Sequence, residues 1–119
     1  MHNCLVGSEM CIRDRSDLYG RDGVDISDRD IKERLLFRQV IEALKCLETG
    51  VLRSVADGNI GSIMGIGAPA WTGGLLQFVN TYGLQNFIDR CGELSDAYGD
   101  RFAAPAIVAE KLAAGETFV

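Results

Sequence analysis

The sequence predicts an all-α helical bundle. Apolar residues recur at steps of three and four, and each such stretch is bounded by residues that cap helices. No stretch alternates apolar and polar residues as a half-buried strand does. The chain has 119 residues, 47% of them hydrophobic and 24% charged, which suits one globular domain. Five helices joined by short loops are therefore expected.

The first predicted helix runs from Asp28 to the turn at Gly50. Ser27 or Asp28 can cap its first free amides, and the helix dipole favours Asp30 in the first turn. Gly50 suits the left-handed position that ends a helix. The pattern predicts one apolar stripe made of Ile31, Leu35, Leu36, Val40, Leu44, Leu47 and Val51.

Two shorter helices are predicted next. "SVADGNIGSIM" offers Ser54 as a cap with Asp57 three residues on, similar to a capping box. Gly58 and Gly61 weaken this helix by about 1 kcal/mol each relative to alanine. "GGLLQFVNTYG" then predicts a short and very apolar helix.

The last two predicted helices end at glycines. "LQNFIDRCGELSDAYG" stops at Gly99, and "PAIVAEKLAAG" starts at Pro105, where a helix tolerates proline best, and stops at Gly115. The fourth helix carries a second apolar stripe made of Leu84, Phe87, Ile88, Cys91, Leu94 and Tyr98.

Composition and charge exclude several classes of protein. Twelve basic against 17 acidic side chains give a net charge of −5, so nucleic acid is not an expected partner. No apolar run approaches the roughly 20 residues that span a bilayer. No basic segment followed by an apolar core marks a secretory signal. A cytoplasmic protein without a membrane span is expected.

The four cysteines form no recognisable metal or redox motif. Cys4, Cys11, Cys46 and Cys91 include no C-x-x-C pair and no familiar zinc spacing. Cys46 and Cys91 are expected on the apolar faces of helices as buried free thiols. A redox or metal role is the alternative.

The stretch "MGIGAPAWTGG" contains Gly65-x-Gly67-x-x-Ala70, a pattern similar to a dinucleotide-binding loop. Such a loop requires a preceding strand, whereas helix caps precede this one. Pro69 lacks an amide that could face a phosphate. Asp89 lies 19 residues beyond Ala70, near the distance of a ribose-binding carboxylate, but in the middle of a predicted helix. Cofactor binding is therefore not expected here.

A structural role explains the same stretch. Gly65 and Gly67 would end a helix, and Pro69 would stiffen the loop. Gly73 and Gly74 would let the next helix approach closely. Trp71 is expected to bury its ring against the bundle. A ligand stacked on that ring is the alternative.

The segments of the chain differ in origin or in expected order. Residues 1–15, "MHNCLVGSEMCIRDR", resemble translated sequencing-adapter DNA and are expected to be a non-native artefact that includes His2. Residues 16–27 are predicted to be a flexible lead-in. Residues 28–119 are predicted to form the helical domain.

The predicted domain resembles a known family. "ERLLFRQVIEALKCLETGVL", "ADGNIGSIMGIGAPAWTGGLLQFVNTYGL" and "YGDRFAAPAIVAEKLAAGETF" are similar to the C-terminal helical domain of 3-hydroxyacyl-CoA dehydrogenases. The likeness is strongest to the second helical repeat in the multifunctional fatty-acid oxidation alpha subunit. It implies the helical fold shared by the C-terminal domains of 6-phosphogluconate and 3-hydroxyacyl-CoA dehydrogenases. Family members carry bulkier residues where this chain has Ala68 and Ala70.

The resemblance also implies where the chemistry of the parent enzyme lies. In the family, NAD accepts hydride from a 3-hydroxyacyl-CoA, and a His–Glu pair, a serine and an asparagine assist. The NAD-binding fold, the His–Glu pair and the serine belong to a preceding domain. The asparagine opens the family motif N-R-L-L, where this chain has Glu33-Arg34-Leu35-Leu36. Because a carboxylate cannot donate the amide hydrogen bond, this copy resembles the degenerate second repeat, and no catalytic residue is expected in this chain. No cofactor-binding or metal-binding residue is expected either, and NAD is implied for the parent enzyme alone.

Three functions follow as hypotheses. The first is a fragment of a β-oxidation enzyme, a helical repeat that supports the NAD-binding and hydratase domains of its parent. Its apolar stripes predict an exposed apolar surface and self-association. The second is a chain that retains dehydrogenase activity, and the third is an independent helical interaction module. The carboxylates Glu42, Glu93 and Glu110 are expected to be solvated rather than catalytic.

Overall fold

A computed structural model describes residues 25–119, which form five α-helices and two short 3₁₀ turns. The helices are α1 (Asp28–Glu48), α2 (Val55–Ile66), α3 (Leu75–Tyr82), α4 (Leu84–Tyr98) and α5 (Ala106–Ala114). The 3₁₀ turns, Ala70–Thr72 and Asp100–Phe102, precede α3 and α5. No strand is present in this range, so the prediction of an all-α bundle is confirmed. The expectations for residues 1–15 and 16–24 lie outside the described residues.

Caps and glycines set the helix ends as predicted. The Ser27 hydroxyl accepts a hydrogen bond from the Asp30 amide at 3.1 Å, and Ser54 accepts one from the Asp57 amide at 3.1 Å. Gly50 and Gly115 adopt left-handed backbone angles just past α1 and α5.

The short helix α3 occupies the centre of the bundle and packs against α1, α2 and α4. Around it, an aromatic cluster fills the core. The Phe37 ring stacks on Phe87 with centroids 4.8 Å apart and meets Tyr82 edge-on at 5.3 Å. Both phenylalanines are fully buried. The removal of this apolar surface from water therefore contributes most to holding the helices together.

The buried face of α1 differs from the predicted stripe. Val40 and Leu44 are buried as expected, together with Phe37 and Ile41, which the prediction left out. The exposed apolar residues of the predicted stripe are Ile31, Leu35 and Val51. Leu36 and Leu47 also pack against the core, so the predicted stripe is correct in part. It fails at its exposed members because apolar residues lie on both sides of the buried face, and spacing alone does not say which side meets the core.

Two predictions about side-chain burial also need correction. Trp71 does not anchor its loop, since 80% of its surface is exposed. Trp71 lies in a 3₁₀ turn in which its ring faces solvent, and its neighbours Ala68 and Thr72 are buried instead. Cys91 is a fully buried free thiol as predicted, whereas Cys46 is only half-buried.

Gly58 was predicted only to weaken α2, but its missing side chain also makes room for α3. A β-carbon at Gly58 would lie 2.6 Å from Leu76 Cδ1, so the missing side chain lets α2 and α3 touch. At this crossing the backbone of α2 therefore packs directly against the side chain of Leu76.

The C-terminal residues are tied to the bundle by one side chain. Asn80 donates from Nδ2 to the Phe118 carbonyl at 2.7 Å and accepts from the Phe118 amide at 2.9 Å. The Phe118 ring is fully buried. Both main-chain polar groups of Phe118 are therefore satisfied while its ring completes the core.

Candidate functional site

The glycine stretch lies at the junction of α2 and α3. Gly65 is inside α2, and Gly67 caps that helix with a left-handed φ of 70°. Gly65 therefore does not end the helix, in contrast to the prediction, and Gly67 alone does so. Pro69 opens the 3₁₀ turn that leads to Gly73, whose φ is 74°.

The amides at the start of α3 already have protein partners. Asn59 Oδ1 accepts from the amides of Leu76 at 3.0 Å and Gln77 at 2.9 Å. The Ser62 hydroxyl accepts from the Leu75 amide at 3.2 Å. These are the donors that a dinucleotide loop would present to a pyrophosphate. Because side chains of α2 already accept hydrogen bonds from these amides, the N-terminus of α3 is covered by α2.

Gly74 makes that junction possible. Its φ is 113°, and a β-carbon here would lie 2.5 Å from Asn59 Cα. Only glycine has both the conformation and the space for this contact. The close approach predicted for Gly73 and Gly74 is seen at Gly74, whereas a β-carbon at Gly73 would meet only the Gln77 side chain, at 3.0 Å.

Asp89 lies on α4 and accepts from Gln85 Nε2 at 2.8 Å.

A cluster of charged side chains joins α1 to α4 around Arg90. The Arg90 guanidinium donates from Nη2 to Asp30 at 2.5 Å, from Nη1 to Glu93 at 2.7 Å, and from Nε to Glu33. Only 13% of the Arg90 side chain is exposed, so three carboxylates surround a cation that is largely removed from water. We call Asp30, Glu33, Arg90 and Glu93 the Arg90 cluster.

Glu33 has both carboxylate oxygens engaged. One accepts from Arg90 Nε, and the other accepts from Arg29 Nε at 3.0 Å. This is the position at which the resemblance places the family asparagine. Here its side chain joins two helices and offers no hydrogen-bond donor.

The pKa values within the cluster follow from these contacts. The hydrogen bond from Tyr98 at 2.7 Å, followed by that from Arg90, lowers the pKa of Asp30 below its ordinary value. The same bond to Asp30, aided by burial, raises the pKa of Tyr98. Burial acts to lower the pKa of Arg90, and the hydrogen bonds to Glu93, Glu33 and Asp30 outweigh it, so that pKa is raised. These three groups are held in their ordinary charge states at neutral pH.

The remaining candidate reactive groups are the Cys91 thiol and three carboxylates. Burial raises the pKa of the Cys91 thiol to about 12, so this thiol is protonated at neutral pH and is not a nucleophile. Glu42, Glu93 and Glu110 are exposed on their helices, as predicted. Glu42 lines a groove between α1 and α2 and pairs with Arg38, whereas Glu93 lines another groove and pairs with Arg90.

Sequence reasoning missed Arg90, Asn59 and Tyr98 as organising residues. Arg90 follows Phe87 by three residues and precedes Leu94 by four, so it falls on the buried side of α4. A cation on an apolar face requires a carboxylate partner, which is a signal that could have found it. Asn59 offered no such signal, because its role depends on the crossing of α2 and α3.

Two grooves flank the outer side of α1. The arginine groove, about 630 Å³, lies against the second 3₁₀ turn and is lined by Ile31, Arg34, Leu35, Arg38, Arg101 and Phe102. The apolar groove, about 480 Å³, lies between α1 and α2. Its lining includes Ala43, Cys46, Val51 and Ile66, with Glu42 and Asp57 among its charged residues.

Several large apolar side chains are exposed. The exposed large apolar residues in the described range are Ile31, Leu35, Val51, Ile60, Met64, Ile66, Trp71, Leu112 and Val119. Within this range no helix is both long enough and apolar enough to cross a bilayer.

Comparison with known proteins points to one group. No family model matches the chain. The fatty acid oxidation complex subunit alpha of Vibrio parahaemolyticus is 37% identical over 93 residues, 78% of this chain and 13% of that protein. The subunits of the same name from Vibrio vulnificus and Shewanella amazonensis are 40% and 38% identical over 66% and 75% of this chain. The chain thus spans about one eighth of the length of these relatives. The chain is therefore a homologue of one segment of the fatty acid oxidation complex alpha subunits.

Proposed function

We propose that the chain is a C-terminal segment of a fatty-acid β-oxidation enzyme that joins 3-hydroxyacyl-CoA dehydrogenase to enoyl-CoA hydratase. In this proposal the segment is a helical repeat that supports the dehydrogenase by packing against it. NAD and the acyl-CoA are bound by the preceding domains of the parent enzyme. The homology to fatty acid oxidation complex alpha subunits supports the assignment to this pathway.

The contacts of the Glu33 side chain are the observation on which the proposed supporting role depends. Its two oxygens are bound by Arg29 and Arg90, so it holds α1 against α4 instead of facing a substrate. The single histidine of the chain is His2, and residues 25–119 therefore supply none for proton transfer near neutral pH. The reacting groups of the proposed parent accordingly belong to other parts of its polypeptide.

Exposed apolar side chains support the proposal that this segment contacts other domains of the parent enzyme. Leu35 is 67% exposed and Met64 is 81% exposed, and neither has an apolar neighbour that covers it within the described bundle. Surfaces of this kind are typical of interfaces. We assign them to contacts with the NAD-binding and hydratase domains of the parent and to self-association, in the cytoplasm.

A segment exchange tests the proposal. In the Vibrio parahaemolyticus alpha subunit, the 93-residue stretch that aligns with this chain is either deleted or replaced by its counterpart from this chain. We expect the deletion to abolish NAD-dependent oxidation of a 3-hydroxyacyl-CoA, and the replacement to keep kcat/KM within about tenfold of the unmodified subunit.

A circular dichroism melt serves as the control for folding of both proteins. A folded replacement protein that is as inactive as the deletion would overturn the supporting role. That result would favour the alternative of an independent helical interaction module.

A further inference from the structure

Two arginines of the arginine groove have no carboxylate partner among residues 25–119. The Arg34 guanidinium lies 4.3 Å from the centre of the Tyr98 ring, and its buried Nε has no hydrogen-bond acceptor in this range. The Arg101 guanidinium lies 5.2 Å from the centre of the Phe102 ring. Neither guanidinium makes an ion pair with a described residue. Within the described bundle, these two cations are thus left without a counter-charge, on a chain whose net charge is −5.

One aromatic ring brings the two guanidiniums near each other. The central carbon of the Arg34 guanidinium lies 5.9 Å from the centre of the Phe102 ring, and that of Arg101 lies 5.2 Å from it. The two carbons are therefore no more than about 11 Å apart. Contact with an aromatic face favours these positions for a guanidinium. Two arginines that are already positioned lose less conformational freedom when they bind an anion.

Arg38 shapes the groove without adding free charge to it. Its Nη1 donates to the Arg101 carbonyl at 2.8 Å, which ties the second 3₁₀ turn to α1. Its Nη2 pairs with Glu42 at 2.7 Å, so the charge of Arg38 is balanced. No carboxylate is among the residues that line the groove. The free positive charge of the groove therefore comes from Arg34 and Arg101.

The groove also has an apolar wall. Ile31 and Leu35 line it from α1, and 43% and 67% of their surfaces are exposed. Its volume, about 630 Å³, is within the range of small-molecule sites. Two arginines with free donors beside exposed aliphatic side chains suit an anion that also carries an apolar or aromatic part.

We propose that the arginine groove binds an organic phosphate. A diphosphate group is held between Arg34 and Arg101, and an aromatic base packs on Ile31 and Leu35. A guanidinium binds phosphate oxygens through two parallel hydrogen bonds, and a diphosphate has enough oxygens to bind both arginines in this way. A single carboxylate can do so with only one of them. This inference rests on the groove itself and not on the proposed function.

Isothermal titration calorimetry of the full chain with ADP tests the site. We expect a Kd between about 10 and about 500 μM at low ionic strength. Adenosine, which lacks the phosphates, is expected not to bind at about 1 mM. Inorganic pyrophosphate, which cannot contact the apolar wall, is expected to bind at least about threefold more weakly than ADP. Octanoate, an amphipathic carboxylate, is expected to bind at least about tenfold more weakly than ADP.

Substitution of each arginine tests the two phosphate contacts separately. Arg34→Met and Arg101→Met are each expected to weaken ADP binding at least about tenfold, because each removes a pair of charge-assisted hydrogen bonds. Arg53→Met is the matched control, because Arg53 is exposed, lies outside the groove and makes no ion pair in the described bundle. It changes the net charge equally and is expected to leave the Kd for ADP within about twofold. Circular dichroism melts establish that each variant is folded, and Arg101 is exposed, so its replacement leaves the core intact.

Three results would overturn the proposal. The first is a chain that does not bind ADP at about 1 mM, and the second is ADP binding that neither arginine change weakens. The third is adenosine, pyrophosphate or octanoate that binds as tightly as ADP. These titrations use the chain itself, whereas the segment exchange measures dehydrogenase activity in the parent enzyme. Failure of the site would therefore leave the proposed function standing, and failure of the exchange would leave the site standing.

Discussion

Gly74→Ala is expected to lower the free energy of unfolding by about 4 kcal/mol, since three costs coincide at this position. A backbone with φ of 113° and ψ of 165° is essentially restricted to glycine and costs an alanine about 1–3 kcal/mol. The new β-carbon, 2.5 Å from Asn59 Cα, forces α2 away from α3, a change that costs about 1–3 kcal/mol. The same shift breaks the hydrogen bonds of Asn59 to the first amides of α3, a cap worth about 1 kcal/mol.

Urea unfolding followed by circular dichroism measures this loss. Gly92→Ala is the matched control, because Gly92 is inside α4 and a β-carbon there meets no atom within 4 Å. Its replacement is expected to stabilise the chain by up to about 1 kcal/mol through helix propensity. A Gly74→Ala chain as stable as the Gly92→Ala chain would contradict the described crossing of α2 and α3.

Arg90→Ala is expected to destabilise the chain by about 2 kcal/mol at neutral pH. The change leaves Asp30, Glu33 and Glu93 close together without their shared cation. Removing one partner of a fully buried ion pair costs more, and the partial exposure of these carboxylates reduces the penalty. Arg53→Ala, at an exposed arginine that makes no ion pair in the described bundle, is the control and is expected to change stability by less than about 0.5 kcal/mol.

The effect of Arg90→Ala depends on pH in a defined direction. In the unmodified chain the pKa of Asp30 is lowered by Tyr98 and Arg90, so its contribution is complete above the ordinary value of 3.8 and is lost as the pH falls below it. Without Arg90, protonation of the three carboxylates relieves repulsion. The stability difference between the two chains is therefore expected to shrink as the pH falls from 7 to about 3. A difference that is constant across this range would show that Arg90 acts by packing alone.

Most of the fold could be predicted from the sequence because its helix ends are local features. Each helix end is set by contacts within one turn of the chain. The structure places the capping residues as expected, at Ser27, Ser54, Gly50 and Gly115. It was harder to predict from the sequence which face of α1 is buried. Phe37 and Leu35 lie two residues apart on α1 with similar apolarity, and only the position of α3 and α4 decides that Phe37 is buried.

The candidate site was harder to predict for the same reason. Glu33 was identified from its place in a motif, but its partner Arg90 is 57 residues away, and no local pattern joins them. Trp71 was expected inside because a large ring gains most from burial, whereas the α2–α3 junction is filled by Asn59 and Ser62. Long-range contacts between helices, rather than any local propensity, determine both outcomes.

The central claim is that these helices support an active site whose reacting groups lie on other parts of the parent enzyme. The most direct measurement is NADH oxidation by the purified full chain, shown by circular dichroism to be helical, with acetoacetyl-CoA as the substrate. The account predicts a rate equal to that of a sample without protein at every chain concentration. NADH consumption that rises in proportion to the chain concentration would contradict it.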